Sequence, residues 1–151
     1  MEAVVLCGLQ GSGKTTLCGE RFAGHVRVSL DELRSRAREA ALVEECLEAG
    51  RPFVVDNTNP TPADRARYVE PARAAGFRIV GYLVEVGAAE AFARNAERGA
   101  AARIPPGNVA ATARRFVRPV PEEGFDELWH ATAAPGGGWR IEPLLTTPPL
   151  F

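Results

Sequence analysis

The chain opens on an unbroken apolar run, Ala3 to Cys7, that stops at glycines after one strand's length. Such a run suits a strand buried on both faces of a parallel sheet. The stretch from Lys14 to about Phe22 predicts a helix, and Val26 to Ser29 a second short strand. Asp31 to Ala49 predicts one long helix ended by Gly50, a residue that tolerates the left-handed cap. Pro52 to Val55 is again an apolar strand. Thr61-Pro62-Ala63-Asp64 combines a capping hydroxyl, a proline at the first helical position and an acid in the first turn, which predicts a helix running to about Gly76. Phe77 to Val86 predicts a strand, Ala88 to Arg98 a helix and Gly99 to Gly107 a loop, with Asn108 capping a last helix that stops before Pro119. Phe125 to Ala133 and Trp139 to Leu144 predict two strands joined through Pro135-Gly136-Gly137-Gly138, a hairpin or edge to the sheet. Strands alternating with helices predict an α/β sandwich of three layers, with a mainly parallel central sheet covered by helices on both faces. At 151 residues one domain is expected, over 1–143, followed by a proline-rich tail at 144–151.

Charge narrows the partners. A net charge of -1 gives no overall pull towards nucleic acid or an anionic membrane, so any polyanion must be met by a local patch. No apolar stretch approaches the roughly 20 residues a membrane span needs. No signal-peptide pattern opens the chain, and the cytoplasm is the expected compartment. Cys7, Cys18 and Cys46 have no paired or metal-ligand spacing and are expected as reduced, buried thiols. The 18 basic residues comprise 17 arginines and a single lysine, Lys14, which lies inside a glycine-rich loop. A compact ammonium threads into a tight anion nest where a planar guanidinium does not.

That loop, Gly8-Leu9-Gln10-Gly11-Ser12-Gly13-Lys14-Thr15, matches the P-loop pattern G-x-x-x-x-G-K-S/T in full, between a predicted strand and a predicted helix. Its glycines allow backbone amides to turn inward around phosphate oxygens, and the helix start directs its positive end at the same anion. Gly8, Gln10, Gly11, Ser12, Gly13, Lys14, Thr15 and Thr16 are the candidate nucleotide-binding residues, with Lys14 reaching the terminal phosphates and Thr15 a magnesium ion. The alternative is a glycine-rich turn that holds nothing. The fold class becomes that of a P-loop NTPase, with ATP or another nucleoside triphosphate and Mg2+ as the expected cofactors.

A phosphotransferase also needs a second metal acid, a group to orient or deprotonate the acceptor, and positive charge around the transferring phosphoryl. Asp56 ends an apolar strand, where the carboxyl edge of a parallel sheet collects ligands, and is the second metal candidate; a turn aspartate is the other reading. Asp31 follows the second strand, with Arg34 one helical turn later on the same face, which permits a base beside an arginine that holds an anionic acceptor. A plain helix N-terminus explains Asp31 equally well. Residues 94–118 carry six arginines against Glu97, with a proline-bearing loop in their midst. Arg94 and Arg98 are candidates for an arginine-rich lid at about 94–107 closing over phosphates, although such runs are commonly solvated helix faces.

These residues resemble the P-loop 5′-OH polynucleotide kinases, including the kinase domain of polynucleotide kinase-phosphatases and the phage enzyme. The resemblance runs from the P-loop through Val54-Val55-Asp56-Asn57-Thr58-Asn59-Pro60, Arg65-Ala66-Arg67-Tyr68, Arg94-Asn95-Ala96-Glu97-Arg98 and Arg103-Ile104-Pro105 to Glu123-Gly124-Phe125. It implies that Asp31, in Ser29-Leu30-Asp31-Glu32-Leu33-Arg34, is the general base and Arg34 the acceptor-binding arginine. It likewise implies that Arg98 contacts the ATP phosphates, that Asp56 and Asn57 shape the metal and acceptor site, and that Asn59 and Arg103 stand among the acceptor contacts. The implied activity is transfer of the γ-phosphate of ATP to a 5′-hydroxyl. Near-neutral charge favours a nucleotide or a short single-stranded end over a long duplex as acceptor. Ser29-Leu30 stands where many family members carry a basic residue. With no Asp-x-Asp phosphatase motif and no ligase segment, a kinase alone is expected. Two other readings stay open: a small-molecule kinase acting on a sugar nucleotide, antibiotic or metabolite, and a non-catalytic module that uses ATP as a switch.

Overall fold

The structure, a computed structural model, describes residues 1–85, 106–134 and 137–144. Its strands are β1 (Glu2–Cys7), β2 (Val26–Val28), β3 (Phe53–Asp56), β4 (Arg78–Val84), β5 (Glu127–Ala133) and β6 (Trp139–Pro143). Its helices are α1 (Lys14–Arg21), α2 (Leu30–Leu33), α3 (Arg36–Ala49), α4 (Pro62–Ala74) and α5 (Pro106–Arg115), with a 3-10 turn at Pro121–Glu123. The strands form one sheet in the order β2-β3-β1-β4-β5-β6, parallel except for the antiparallel β5–β6 hairpin. This is the mainly parallel α/β sheet of a P-loop NTPase.

Alternation along β1 shows how the layers form. Ala3 and Val5 face α3 and α4, packing with Val43, Cys46, Tyr68, Val69 and Ala72. Val4 and Leu6 face the other way, against Leu17, Cys18 and Phe22 of α1 and the residue following it. Both sides of β1 are fully buried, so an unbroken apolar run was the pattern this strand required. Helix α4 begins as its sequence predicts: the Thr61 hydroxyl accepts from the Asp64 amide at 3.2 Å, and the Asp64 carboxylate accepts from the Thr61 amide at 3.3 Å.

Three sequence expectations change. The long helix predicted over Asp31–Ala49 is two helices, because Arg34 turns into the left-handed region at φ 62° and ends α2. Ser35 then caps α3, its hydroxyl accepting from the Arg38 amide at 3.3 Å. At the other end, α5 begins at Pro106 rather than after Asn108, with proline at its first turn. Leu144, placed at the start of a tail, is buried against Cys7 and Leu83, and its amide donates to the Leu128 carbonyl at 3.1 Å. The helix at Ala88–Arg98, the residues Arg94, Arg98 and Arg103, most of the lid, and residues 145–151 lie outside the described residues.

Register decides where chemistry can gather. Leu6 stands beside Asp56, Cys7 beside Leu83 and Val28 beside Val55, so the carboxyl ends of β1, β2, β3 and β4 share one edge. The P-loop, α2 and the segment after Asp56 all leave from it.

Candidate functional site

The glycine loop connects β1 directly to α1. Gly11 and Gly13 have φ of 81° and 100°, where a side chain is strained. At Gly8 a Cβ would lie 2.3 Å from the Val84 carbonyl oxygen, so the loop's first residue is held against β4 too closely for any other residue type. The Gly8 amide donates to the Thr58 carbonyl at 3.0 Å, which ties the loop to the segment after β3. Gly13 supplies no side-chain cap to α1 and no acid stands in its first turn, so the positive end of the helix faces the loop without internal competition. Lys14 arches back over the loop, its ammonium donating to the Gly8 and Leu9 carbonyls at 2.8 and 2.9 Å. Thr16 follows on α1 and is exposed, while Gln10 donates to the Thr112 hydroxyl on α5 at 3.4 Å.

Thr15 and Asp56 come together across the sheet edge. The Thr15 hydroxyl donates to Asp56 Oδ2 at 3.1 Å, and the Asp56 side chain is almost fully buried. Two hard oxygen donors beside a phosphate cradle fit magnesium, which binds through one or two protein oxygens and completes its shell with phosphate oxygens and water. Among the described residues there is no cluster of three or more His, Cys, Asp or Glu that could hold a metal by itself. Arg27, not anticipated from sequence, donates from Nε and Nη2 to the same Asp56 Oδ2 at 3.0 and 2.8 Å and from Nη1 to Glu32 on α2 at 2.7 Å. Burial lowers the Arg27 pKa, but its bond to Asp56 and the charges of Asp56 and Glu32 outweigh that and leave it raised.

Asp31 and Arg34 lie on and at the end of the short helix α2, both exposed. Arg34 is no longer one helical turn along a common face from Asp31, because its backbone has left helical geometry. Asn57 fixes that helix. Its Oδ1 accepts the Leu30 amide at 2.9 Å, and its Nδ2 donates to Glu39 Oε2 at 2.8 Å and to the Tyr68 hydroxyl at 3.0 Å. Glu39, fully buried on α3, also accepts from Arg36 and from the Tyr68 hydroxyl, each at 2.8 Å. Both N–H groups of the Asn57 amide are thus spent within the fold.

Asn59 is likewise committed to the fold: it is buried, with φ 46°, and its Nδ2 donates to the Leu6 carbonyl at 2.8 Å. Beneath it Arg65, wholly buried, donates to the Asn59 carbonyl at 2.9 Å and in a fork to Glu123 at 2.8 and 3.0 Å. Arg34 and Asn59 are the non-glycine residues with positive φ among the described residues, and both flank this edge. Strained backbone concentrates at working sites, where the surrounding structure overrides it. Sequence reasoning missed Arg27, Glu39 and the roles of Tyr68, Arg65 and Glu123. A lone charge inside the apolar strand Val26-Arg27-Val28 was the available signal for the first.

Residues 37–119 match the family model described as AAA domain, more than half of the chain. A bifunctional polynucleotide phosphatase/kinase of Schizosaccharomyces pombe is 30% identical over 134 residues, covering 84% of this chain and 32% of the relative. The chain therefore spans about a third of the length of this curated relative. Among solved structures, Kti12 of Chaetomium thermophilum, in complex with ADP-AlF3, is similar at a TM-score of 0.64 and 19% identity, over 86% of this chain and 88% of that one. A gluconokinase from Sinorhizobium meliloti 1021 is similar at 0.62 and 17%, over 87% and 82%. At such identities these two share the fold.

Proposed function

Because this chain belongs to the AAA domain family, whose members fold around a P-loop, we propose that it is an ATP- and magnesium-dependent kinase that transfers the γ-phosphoryl group to the 5′-hydroxyl of a nucleotide or short single-stranded nucleic acid. One observation carries this reading. The P-loop, the Thr15–Asp56 pair and the helix bearing Asp31 leave the same sheet edge, and Asn57 fastens that helix through the Leu30 amide. The likeness to the yeast phosphatase/kinase supports the nucleic-acid acceptor.

Loop amides and Lys14 hold the triphosphate, and Lys14 exchanges its two carbonyl partners for phosphate oxygens as the charge develops. Magnesium, held by Thr15 and Asp56, would offset charge on the phosphate oxygens. Asp31 accepts the proton of the incoming hydroxyl; its exposure keeps it reachable by an acceptor entering from solvent. Arg34, at the end of the same helix, holds the acceptor's own phosphate, and the resemblance to the 5′-OH kinases assigns further positive charge to Arg98 and Arg103. Transfer from labelled ATP to a panel of 5′-OH oligonucleotides, nucleotides with a free 5′-hydroxyl and small sugars tests the proposal. Transfer confined to nucleic-acid or nucleotide acceptors is expected. Robust transfer to a metabolite with none to any 5′-OH oligonucleotide or nucleotide would reject the acceptor class.

A further inference from the structure

Arg27 sits in the middle of β2, opposite Val54 in β3, and its guanidinium spans two acids on different elements. Asp56 Oδ2 receives two of its N–H groups as well as the Thr15 hydroxyl. A carboxylate oxygen has about two lone-pair directions. Three donors at 2.8, 3.0 and 3.1 Å therefore saturate the oxygen that faces Thr15. A divalent cation at that oxygen and a guanidinium bonded to it compete, because like charges a few ångströms apart repel in a partly buried site.

The burial of the partners differs in a way that makes exchange feasible. The Asp56 side chain is 3% exposed and needs a cation beside it, whereas the side chains of Arg27 and Glu32 are 31% and 61% exposed. Arg27 can leave Asp56 for solvent while keeping its bond to Glu32. We propose that Arg27 is a built-in, exchangeable cation of the Thr15–Asp56 site, which occupies Asp56 until a divalent ion takes that oxygen and, through Glu32, ties this exchange to α2, the helix that carries Asp31. The proposal rests on the reading of Thr15 and Asp56 as metal-binding residues. Arg27 then has two effects: it weakens binding of a bare metal ion, and it passes the state of the metal site to the acceptor side.

The test is Mn2+ binding followed by electron paramagnetic resonance, without nucleotide and with ADP, in wild type, Arg27→Gln and Arg27→Lys. Without a competing charge, Arg27→Gln should bind Mn2+ at least about fivefold more tightly in the absence of nucleotide, with Arg27→Lys between it and wild type. Equal or weaker binding by Arg27→Gln would overturn the exchange, because Arg27 would then support the site. A readout on the wild-type protein covers the case in which the variant fails to fold. In protein labelled with 15N-arginine, the hydrogen-bonded Arg27 Nε–H resonance, assigned by its absence from Arg27→Lys, should move on addition of ADP with Mg2+ and stay in place with ADP and EDTA. A resonance indifferent to Mg2+ also overturns it. If wild type binds no Mn2+ even with ADP, the metal-site reading itself fails; Mn2+·ADP binding with no gain in Arg27→Gln sinks the exchange alone.

Discussion

Replacing Tyr68 by phenylalanine isolates the closed network behind α2, because it removes one oxygen and leaves the ring in the core. That hydroxyl donates to Glu39 Oε1 at 2.8 Å and accepts from Asn57 at 3.0 Å and from Arg36 at 3.1 Å. Asn57 and Arg36 keep their bonds to Glu39 in the variant, so little of their contribution is lost. The bond to the Glu39 carboxylate is lost outright. A hydrogen bond to a charged group contributes about 1.5–3 kcal/mol, and we expect Tyr68→Phe to cost about 2–3 kcal/mol. In a chain of this size that lowers Tm by roughly 4–12 °C. Urea unfolding measures it, with the midpoint falling and the m value unchanged. Tyr82→Phe is the control: its hydroxyl makes no hydrogen bond to the described residues, and its loss should shift stability by less than about 0.5 kcal/mol. Because Asn57 holds the Leu30 amide, loosening the network should also raise the acceptor KM while nucleotide affinity stays within about twofold. A Tyr68→Phe protein as stable as wild type would mean that the network contributes no net stability.

Other substitutions and conditions test separate parts of the structure. Arg65→Met strands Glu123 and should cost about 3–5 kcal/mol in urea melts, the usual penalty for breaking a buried pair. Gly8→Ala places a Cβ 2.3 Å from a backbone oxygen and should abolish nucleotide binding by calorimetry, or folding altogether by circular dichroism. Burial pushes the Cys7 thiol up from 9.0 to about 12, the charge of Arg65 opposing this. The unfolded chain then loses that proton first, so the contribution of Cys7 is complete below about pH 9 and is lost as pH rises to about 12. Urea midpoints should fall over that window, and fall less in Cys7→Ala. Tyr68, raised by burial and by its bond and charge interaction with Glu39, adds a loss of the same sign beginning near the ordinary phenol value of 10.0.

The sheet and the cradle were legible because their causes are local. A strand buried on both faces shows as a continuous apolar run, and a loop that must turn its amides inward shows as glycines around the lone lysine. The α4 start was equally readable from Thr61, Pro62 and Asp64. The break at Arg34 was not, because the periodicity runs on and arginine is a poor candidate for φ 62°; Ser35, an efficient cap three residues before Arg38, was the clue. Arg27 with Asp56, and Arg65 with Glu123, are separated by 29 and 58 positions, and only the pairing of strands and the folding of the chain bring them together. Asn57 and Asn59 were noticed as residues, but sequence says nothing about which way an amide is spent. Their bonds to Glu39, Tyr68 and Leu6 spend their amide donors within the fold.

The proposed function requires a nucleotide held by the P-loop to react with a hydroxyl activated at Asp31. Single-turnover transfer from labelled ATP to a short 5′-OH oligonucleotide, run beside ATP affinity in wild type and Asp31→Asn, measures it directly. Asp31→Asn should bind ATP within about twofold of wild type and transfer phosphate about 10²–10⁴-fold more slowly, the usual contribution of a general base. An Asp31→Asn protein that transfers at the wild-type rate would contradict it.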